Sequence, residues 1–208
     1  MIEVKKIGVI GSGTMGNGIA HVSALHGFQT VLLDLNEDIL NIAYDKIKNN
    51  LNKQLEKGKI QNAKIVETLK RISMTTDYDD LHDCDIMIEA ASEDKFIKEK
   101  IFKSMDVFSR KDTILASNTS SISITELAKV TNKPHKVIGM HFMNPVPIMR
   151  LVEVIKGEET DKHALDIVKD LSIKMNKKPI ECNDSPGFIA NRILMPMINE
   201  AIYCLMEG

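Results

Sequence analysis

The chain has 208 residues, of which 43% are hydrophobic and 27% charged, with a formal net charge of −2. This balance is typical of a globular protein of one large domain, or one domain and part of a second, and gives no positive field for nucleic acid or an anionic membrane. The three cysteines are too scattered for a disulfide framework or a zinc site, and we see neither a signal-peptide pattern nor an apolar run of roughly 20 residues, so we expect a cytoplasmic protein without a metal.

Short runs rich in β-branched residues alternate along the chain with longer stretches of helical spacing. Residues 7–10 predict a buried strand, and residues 15–26 predict a helix that ends near Gly27. Residues 30–33 predict a second strand, followed by a long polar helix over 37–57. Helical segments separate most of the further predicted strands, at 85–88, 114–117, 137–140 and 151–155. The alternation predicts an α/β fold with a doubly wound, mostly parallel sheet covered on both faces.

The last part of the chain has a different pattern. Residues 188–206 predict one helix, with Asp184 or Ser185 as its cap and Pro186 in its first turn. A single helix at this point has little to pack against. We therefore expect residues 1–184 to form the α/β domain and residues 185–208 to begin a helical domain that is cut short.

A glycine-rich motif, GSGTMG at 11–16, lies between the first predicted strand and the first predicted helix. In this position Gly11 permits a tight turn, Gly13 lets a pyrophosphate approach the backbone, and Gly16 lets helix and strand pack closely. The helix N-terminus then offers N–H groups to the phosphates. The motif predicts a dinucleotide-binding, Rossmann-type domain, although a glycine turn without a ligand is the alternative. The candidate cofactor contacts are Gly11, Gly13, Thr14, Met15 and Gly16.

Asp34 directly follows the second predicted strand. An acidic residue at this point can accept hydrogen bonds from the adenosine ribose and repels a 2′-phosphate. Asp34 therefore favours NAD over NADP as the cofactor.

Four later segments carry a more specific pattern: SNTSS at 117–121, HFMNPVP at 141–147, LVEVI at 151–155 and PGFIANR at 186–192. Together with the glycine motif they resemble the 3-hydroxyacyl-CoA dehydrogenase family, in order and nearly in spacing. The resemblance covers almost the whole chain. It implies NAD-dependent interconversion of (S)-3-hydroxyacyl-CoA and 3-oxoacyl-CoA, with short substrates such as 3-hydroxybutyryl-CoA. Members form homodimers through a helical C-terminal domain, of which only the first helix is expected here.

Oxidation of a secondary alcohol needs a base for the hydroxyl proton, and an imidazole titrates near neutrality. His141 follows a predicted strand at the carboxyl edge of the sheet, where doubly wound folds bind ligands. Glu153 lies in an apolar run on the next strand, where a buried carboxylate needs a partner, and it can hold the far nitrogen of His141. The alternatives are a structural histidine and a glutamate that points to solvent.

The resemblance also implies roles for seven further residues. Ser120 is expected to contact the reacting oxygen of the substrate and the cofactor, and Asn191 is expected to donate to the substrate oxygens. Glu93, Lys98 and Asn144 match cofactor contacts. Asn50 and Lys57 match contacts to the CoA phosphates. Lysines on exposed helix faces are common, so a solvated surface is the alternative for Lys98 and Lys57.

Two other functions remain open at this point. The first is a dehydrogenase of the same superfamily that acts on a hydroxy acid or a sugar acid. Such enzymes usually use a lysine or a differently placed histidine, so the His141 motif with Glu153 disfavours them. The second is a non-catalytic NAD-binding protein, which the presence of all the candidate catalytic residues disfavours.

Overall fold

A computed structural model describes residues 3–208 and contains one eight-stranded sheet. Its strands are β1 (Lys6–Ile10), β2 (Gln29–Leu33), β3 (Ile72–Thr75), β4 (Ile86–Glu89), β5 (Ile114–Ser117), β6 (Val137–Phe142), β7 (Leu151–Lys156) and β8 (Lys178–Asn183). Their order in the sheet is β3-β2-β1-β4-β5-β6-β7-β8. All neighbours are parallel except β6 and β7, which are antiparallel. The predicted doubly wound, mostly parallel fold is confirmed.

Helices cover both faces of the sheet. They are α1 (Thr14–Leu25), α2 (Glu37–Glu56), α3 (Asn62–Lys70), α4 (Lys95–Phe108), α5 (Ile124–Ala128), α6 (Lys162–Lys174) and α7 (Ala190–Met206), with short 3₁₀ turns at Tyr78–Leu81 and Pro134–Lys136. Side chains of α1, α2, α3 and α6 form one apolar core, and side chains of α4 and α5 form a second. Successive strand residues point to opposite faces, so Val9 joins the first core and Ile10 the second. None of the helices described within residues 3–208 is long and apolar enough to cross a bilayer.

The two outermost strands of the sheet are absent from the sequence prediction. β3 has two exposed residues among its four, and β8 buries none of its six side chains fully. An edge strand is covered on fewer sides than a central one, so its sequence lacks the continuous apolar run that marks β1, β4 or β5. The central strands were predicted because their apolar runs reflect burial on both faces.

The prediction of the last helix is wrong at its N-terminal end. α7 begins at Ala190 rather than at residue 188, because Phe188 has a φ of +51° and lies buried in a turn that follows Pro186 and Gly187. Neither Asp184 nor Ser185 caps α7. Backbone geometry in the turn, rather than helical spacing, decides where the helix starts.

The carboxylate of Asp184 instead stabilises the start of α5. It accepts hydrogen bonds from Ser123 Oγ at 2.6 Å and from the backbone N–H groups of Ile124 and Thr125 at 3.1 and 2.8 Å. Burial opposes ionisation, but these hydrogen bonds outweigh it and lower the pKa of the Asp184 carboxyl below its ordinary value. The end of β8 is thereby joined to a helix 60 residues earlier in the chain.

We predict that Asp184→Ala lowers the free energy of unfolding by about 1–3 kcal/mol at neutral pH, because it leaves donors at the start of α5 unpaired. The pKa of Asp184 is lower in the folded state, so its contribution is present above the unfolded pKa of about 3.9 and is lost as pH falls through the folded value. Urea unfolding from pH 7 down to about pH 3 measures this, with exposed Glu159→Ala as the control. An equal destabilisation at all pH values contradicts it.

Candidate active site

The carboxyl ends of the parallel strands form a crevice at the point where the strand order reverses, between β1 and β4. One cavity of about 710 Å³ lies beside the glycine motif and Asp34. A second, of about 460 Å³, contains Glu93, Ser120, His141 and other polar side chains. Met15, Ala90 and Ala91 line both cavities. The two cavities therefore form one continuous crevice, suited to an extended ligand.

The glycine motif has the geometry that phosphate binding requires. Gly11 has a φ of +95°, a backbone conformation that is strained for any residue with a side chain. A Cβ at Gly16 would lie 1.7 Å from the carbonyl oxygen of Gly11, so only glycine allows α1 to approach the turn. No atom lies within 4 Å of a Cβ built at Gly13, the residue before the first turn of α1. A phosphate can therefore approach the N-terminus of α1, where free backbone N–H groups can bind it.

Asp34 is held in place at the end of β2. One carboxylate oxygen accepts from the backbone N–H of Ser12 at 2.6 Å and from its hydroxyl at 2.7 Å. The other accepts from the backbone N–H of Leu35 at 2.7 Å. Leu35 is 89% exposed and lines the same cavity together with Tyr78 and Ile101. A fixed carboxylate beside apolar side chains suits a ribose joined to a flat base.

His141 and Glu153 lie directly opposite each other on the antiparallel strands β6 and β7. His141 Nδ1 is 2.7 Å from a carboxylate oxygen of Glu153, and the two residues are 7% and 1% exposed. The second oxygen of Glu153 accepts from the backbone N–H groups of Ile189 and Ala190, at 2.9 and 2.8 Å. With Nδ1–H donating to Glu153, the neutral imidazole carries its lone pair on Nε2, and the ring lines the cavity of about 460 Å³. His141 lies within β6 rather than after it, because the strand extends to Phe142.

Glu93 holds the loop that follows β5. One of its oxygens accepts from Thr119 Oγ at 2.6 Å, from the backbone N–H groups of Ser120 and Ser121 at 2.7 and 3.1 Å, and from both serine hydroxyls at 3.0 and 3.1 Å. Burial opposes ionisation, but the hydrogen bonds from Thr119 and Ser120 and the charge of Lys98 lower the pKa of Glu93 to about 2. Glu93 is therefore an anion that lines the cavity of His141.

Lys98 is buried rather than solvated, so the alternative of a surface lysine is wrong, but it lines neither cavity, and its expected contact with the cofactor stays a prediction. Its Nζ lies 2.6 Å from an oxygen of Glu89 and 3.4 Å from the second oxygen of Glu93. Glu89 is fully buried and also accepts from the backbone N–H of Ala91 and from Ser117 Oγ, both at 2.7 Å. Glu89 is absent from the sequence prediction. The signal was available, because a carboxylate at the end of the apolar run 86–88 needs a buried partner.

The remaining predicted residues of this cavity lie close together. Asn191 Nδ2 donates to the backbone carbonyl of Ser120 at 3.3 Å, which joins α7 to the loop after β5. Asn144 lines the cavity and precedes a cis peptide bond to Pro145. Asn118, which the prediction does not include, also lines it and accepts from the backbone N–H of Phe142 at 2.9 Å. In residues 3–208 no three His, Cys, Asp or Glu side chains are grouped to hold a metal.

Asn50 and Lys57 are separate from these residues. They line a third cavity, of about 320 Å³, whose other walls are Lys53, Gln54, Lys59, Pro145, Pro147 and Ile148. Three of the residues that line this cavity are lysines, and none is an aspartate or a glutamate. Pro145 directly follows Asn144, so this basic cavity and the cavity of His141 both adjoin the loop between β6 and β7.

Comparison with known proteins gives a consistent result. The sequence profile of the 3-hydroxyacyl-CoA dehydrogenase NAD-binding domain matches residues 6–185. A probable 3-hydroxybutyryl-CoA dehydrogenase of Deinococcus radiodurans is 50% identical, over 98% of this chain and 73% of that protein. The 3-hydroxybutyryl-CoA dehydrogenase of Clostridioides difficile is 49% identical, over 98% of this chain and 72% of that protein. The crystal structure of (S)-3-hydroxybutyryl-CoA dehydrogenase from Ralstonia eutropha matches with a TM-score of 0.97 at 45% identity, covering 99% of this chain and 73% of that one.

We predict that Asp34→Ala weakens NAD binding by about tenfold or more, because a charged acceptor for the ribose hydroxyls is lost. Binding of NADP should fall less or improve, because the repulsion of its 2′-phosphate is also removed. Isothermal titration calorimetry with both dinucleotides measures the two affinities. The matched control is Asp38→Asn, which changes an exposed carboxylate in the first turn of α2. An equal loss of affinity for NAD and NADP would count against the role of Asp34 in selectivity.

Proposed function

The chain belongs to the 3-hydroxyacyl-CoA dehydrogenase family, and from that premise we propose that it is an NAD-dependent dehydrogenase of (S)-3-hydroxyacyl-CoA, with 3-hydroxybutyryl-CoA as its substrate. The relatives with 49–50% identity that carry this activity in their names support the short acyl chain. The observation that carries the proposal is the buried pair of His141 and Glu153, 2.7 Å apart, with the imidazole facing the crevice of the dinucleotide motif.

We propose that His141 is the general base of the reaction. Its Nε2 takes the proton of the substrate's 3-hydroxyl group while the C–O bond becomes a carbonyl. Bound NAD supplies the acceptor for the hydride that leaves the same carbon. In the reverse direction the imidazolium of His141 returns the proton to the oxygen.

Glu153 supports this chemistry in two ways. Its hydrogen bond to Nδ1 favours the tautomer whose Nε2 can accept a proton, and its negative charge stabilises the imidazolium that forms. Its other oxygen is held by two backbone N–H groups at the start of α7. The carboxylate is therefore fixed from both sides, and with it the orientation of the imidazole.

We assign orientation of the substrate to Ser120 and Asn191. Both line the cavity of His141. One hydrogen of the Asn191 amide bonds to the Ser120 carbonyl and keeps the two residues together, and the second can donate to an oxygen of an acyl thioester. The hydroxyl of Ser120 donates to Glu93 and can donate to the substrate instead by turning, because Glu93 keeps four other donors from residues 119–121. The amide of Asn191 is fixed before the substrate arrives, which costs little reorganisation during the reaction.

We assign the CoA part of the substrate to the basic cavity that Asn50 and Lys57 line. Lys53 and Lys59 add two further ammonium groups, and phosphates are suited to such a cluster. The shared loop at Asn144 and Pro145 lets a thioester extend from this cavity toward His141.

We also propose that residues 185–208 belong to a helical unit distinct from the domain formed by residues 1–184. The family profile ends at residue 185, and none of the residues of α7 is buried. Several apolar side chains of α7 are exposed, including Ile193, Leu194, Met197, Ile198 and Ile202. The homodimer and the cytoplasmic location remain predictions from the sequence.

We predict that His141→Gln lowers turnover of acetoacetyl-CoA with NADH by about 10³-fold, because the proton donor is lost while the neutral amide keeps much of the shape. NADH binding should stay within about twofold, since the dinucleotide motif is unchanged. Steady-state oxidation of NADH and fluorescence titration measure the two quantities. His163→Gln, an exposed histidine on α6, is the matched control. A wild-type chain that turns over hydroxy acids and no acyl-CoA would reject the proposed function.

We predict that Ser120→Ala and Asn191→Ala each lower kcat by about 10- to 100-fold, because each removes one donor to the substrate oxygens. The affinity for NADH should change much less in both variants. Comparison of kcat with the Kd of NADH separates the two effects. Large and equal losses of NADH affinity in both variants would reject their roles as donors to the substrate.

A further inference from the structure

Negative charge predominates around the cavity of His141. Glu93 lines it, and Glu153 lies behind the imidazole. Among residues 3–208, the only ammonium group in an ion pair with Glu93 is that of Lys98. Lys98 lies 2.6 Å from the fully buried Glu89 and 3.4 Å from Glu93, so the one ammonium group and the two carboxylates together keep one net negative charge. The charge of Glu93 is therefore left to face the cavity.

The position of this charge is also fixed. Five donors from residues 119–121 hold one oxygen of Glu93, and Lys98 lies near the other. Burial opposes ionisation of this carboxyl, but the hydrogen bonds from Thr119 and Ser120 and the charge of Lys98 outweigh it and give a pKa of about 2. A fixed anion in a partly enclosed cavity acts on nearby charges more strongly than it does in open solvent.

We propose that Glu93 sets the relative affinity of this chain for the two redox forms of its cofactor, by favouring the oxidised nicotinamide ring. This inference rests on the proposed function, because it requires the nicotinamide end of NAD to occupy the cavity of Glu93 and His141. The oxidised ring carries one positive charge, the reduced ring carries none, and the rest of the dinucleotide has the same charge in both forms. A carboxylate in this cavity therefore stabilises the oxidised form selectively.

Glu93 in the cavity and Glu153 behind the imidazole would then stabilise the positive charge at different stages of the reaction. With NAD bound, alcohol oxidation would transfer a hydride from the substrate carbon to the nicotinamide ring and the hydroxyl proton to Nε2 of His141. One positive charge would then be lost at the ring and one gained on the imidazole. Glu93 favours the charge in its first position and Glu153 favours it in the second, so their effects on the bound equilibrium oppose each other.

Glu89 is a positioning residue in this arrangement. It accepts hydrogen bonds from Ala91, Ser117 and Lys98, and the last of these holds the lysine near Glu93 but outside the lining of the cavity. If Lys98 were not balanced by Glu89, its charge would cancel that of Glu93. The buried ion pair thus keeps a net negative charge beside the ring.

The test compares the Kd values of NAD⁺ and NADH, measured by titration without acyl-CoA, for four forms of the 208-residue chain. Glu93→Gln should weaken NAD⁺ binding by about 3- to 10-fold more than NADH binding. Glu93→Asp keeps the charge and should retain the wild-type ratio of the NAD⁺ Kd to the NADH Kd, even where both affinities fall. Glu99→Gln removes a charge on α4 that pairs with Lys95 at 3.8 Å outside the cavity, and should leave the ratio unchanged.

The ratio keeps the test informative if a variant folds incompletely, because unfolded protein lowers the active fraction for both ligands equally. Glu93→Gln with both affinities lowered by one factor would overturn the proposal and leave the proposed function intact. The proposal would also be overturned if Glu93→Asp shifted the ratio of the two Kd values as far as Glu93→Gln does. A wild-type chain that binds neither dinucleotide would overturn this inference together with the proposed cofactor.

Discussion

A carboxylate buried in the middle of a protein is costly unless its oxygens find donors, and Glu153 meets this constraint with three of them. His141 donates to one oxygen, and the backbone N–H groups of Ile189 and Ala190 donate to the other. The carboxylate therefore joins two strands of the sheet to the start of α7. That junction holds the tautomer of the imidazole, and it brings Asn191 to the loop of Ser120. Removing Glu153 would release the imidazole and the start of α7 together.

Two breaks in the regular pattern of the sheet position the two halves of the crevice. The strand order reverses between β1 and β4, which opens the space beside the glycine motif. The direction of pairing reverses between β6 and β7, which sets His141 opposite Glu153. Directly opposite residues on antiparallel strands point to the same face with their Cβ atoms about 5 Å apart, close enough for a hydrogen bond between side chains. The antiparallel pair thus supplies the proposed base, and the parallel strands supply the dinucleotide site.

A chain of polar contacts, buried at Glu89 and exposed at Glu93, connects these two halves. Glu89 at the end of β4 holds Lys98 and Ser117, and Ser117 Oγ accepts from the backbone N–H of Thr119. Thr119 and Ser120 in turn donate to Glu93. Burying an ion pair such as Lys98 and Glu89 adds little stability compared with apolar residues, so its value lies in orientation. The network holds the loop of Ser120 and the anionic Glu93 at fixed positions along one cavity.

The sequence alone determined the features that depend on local pattern. The glycine motif, the central strands and the long α2 were predicted from residues close together in the chain. Burial on both faces gives a strand a continuous apolar run, and a helix shows its regular spacing. His141 and Glu153 were predicted as partners because an ionisable group in an apolar run needs one. Only the tertiary structure decided the edge strands β3 and β8, the start of α7, and the partners of Glu89 and Asp184. These features depend on contacts between residues far apart in the chain and on backbone angles such as the φ of Phe188. Hydrophobic periodicity contains no information about either.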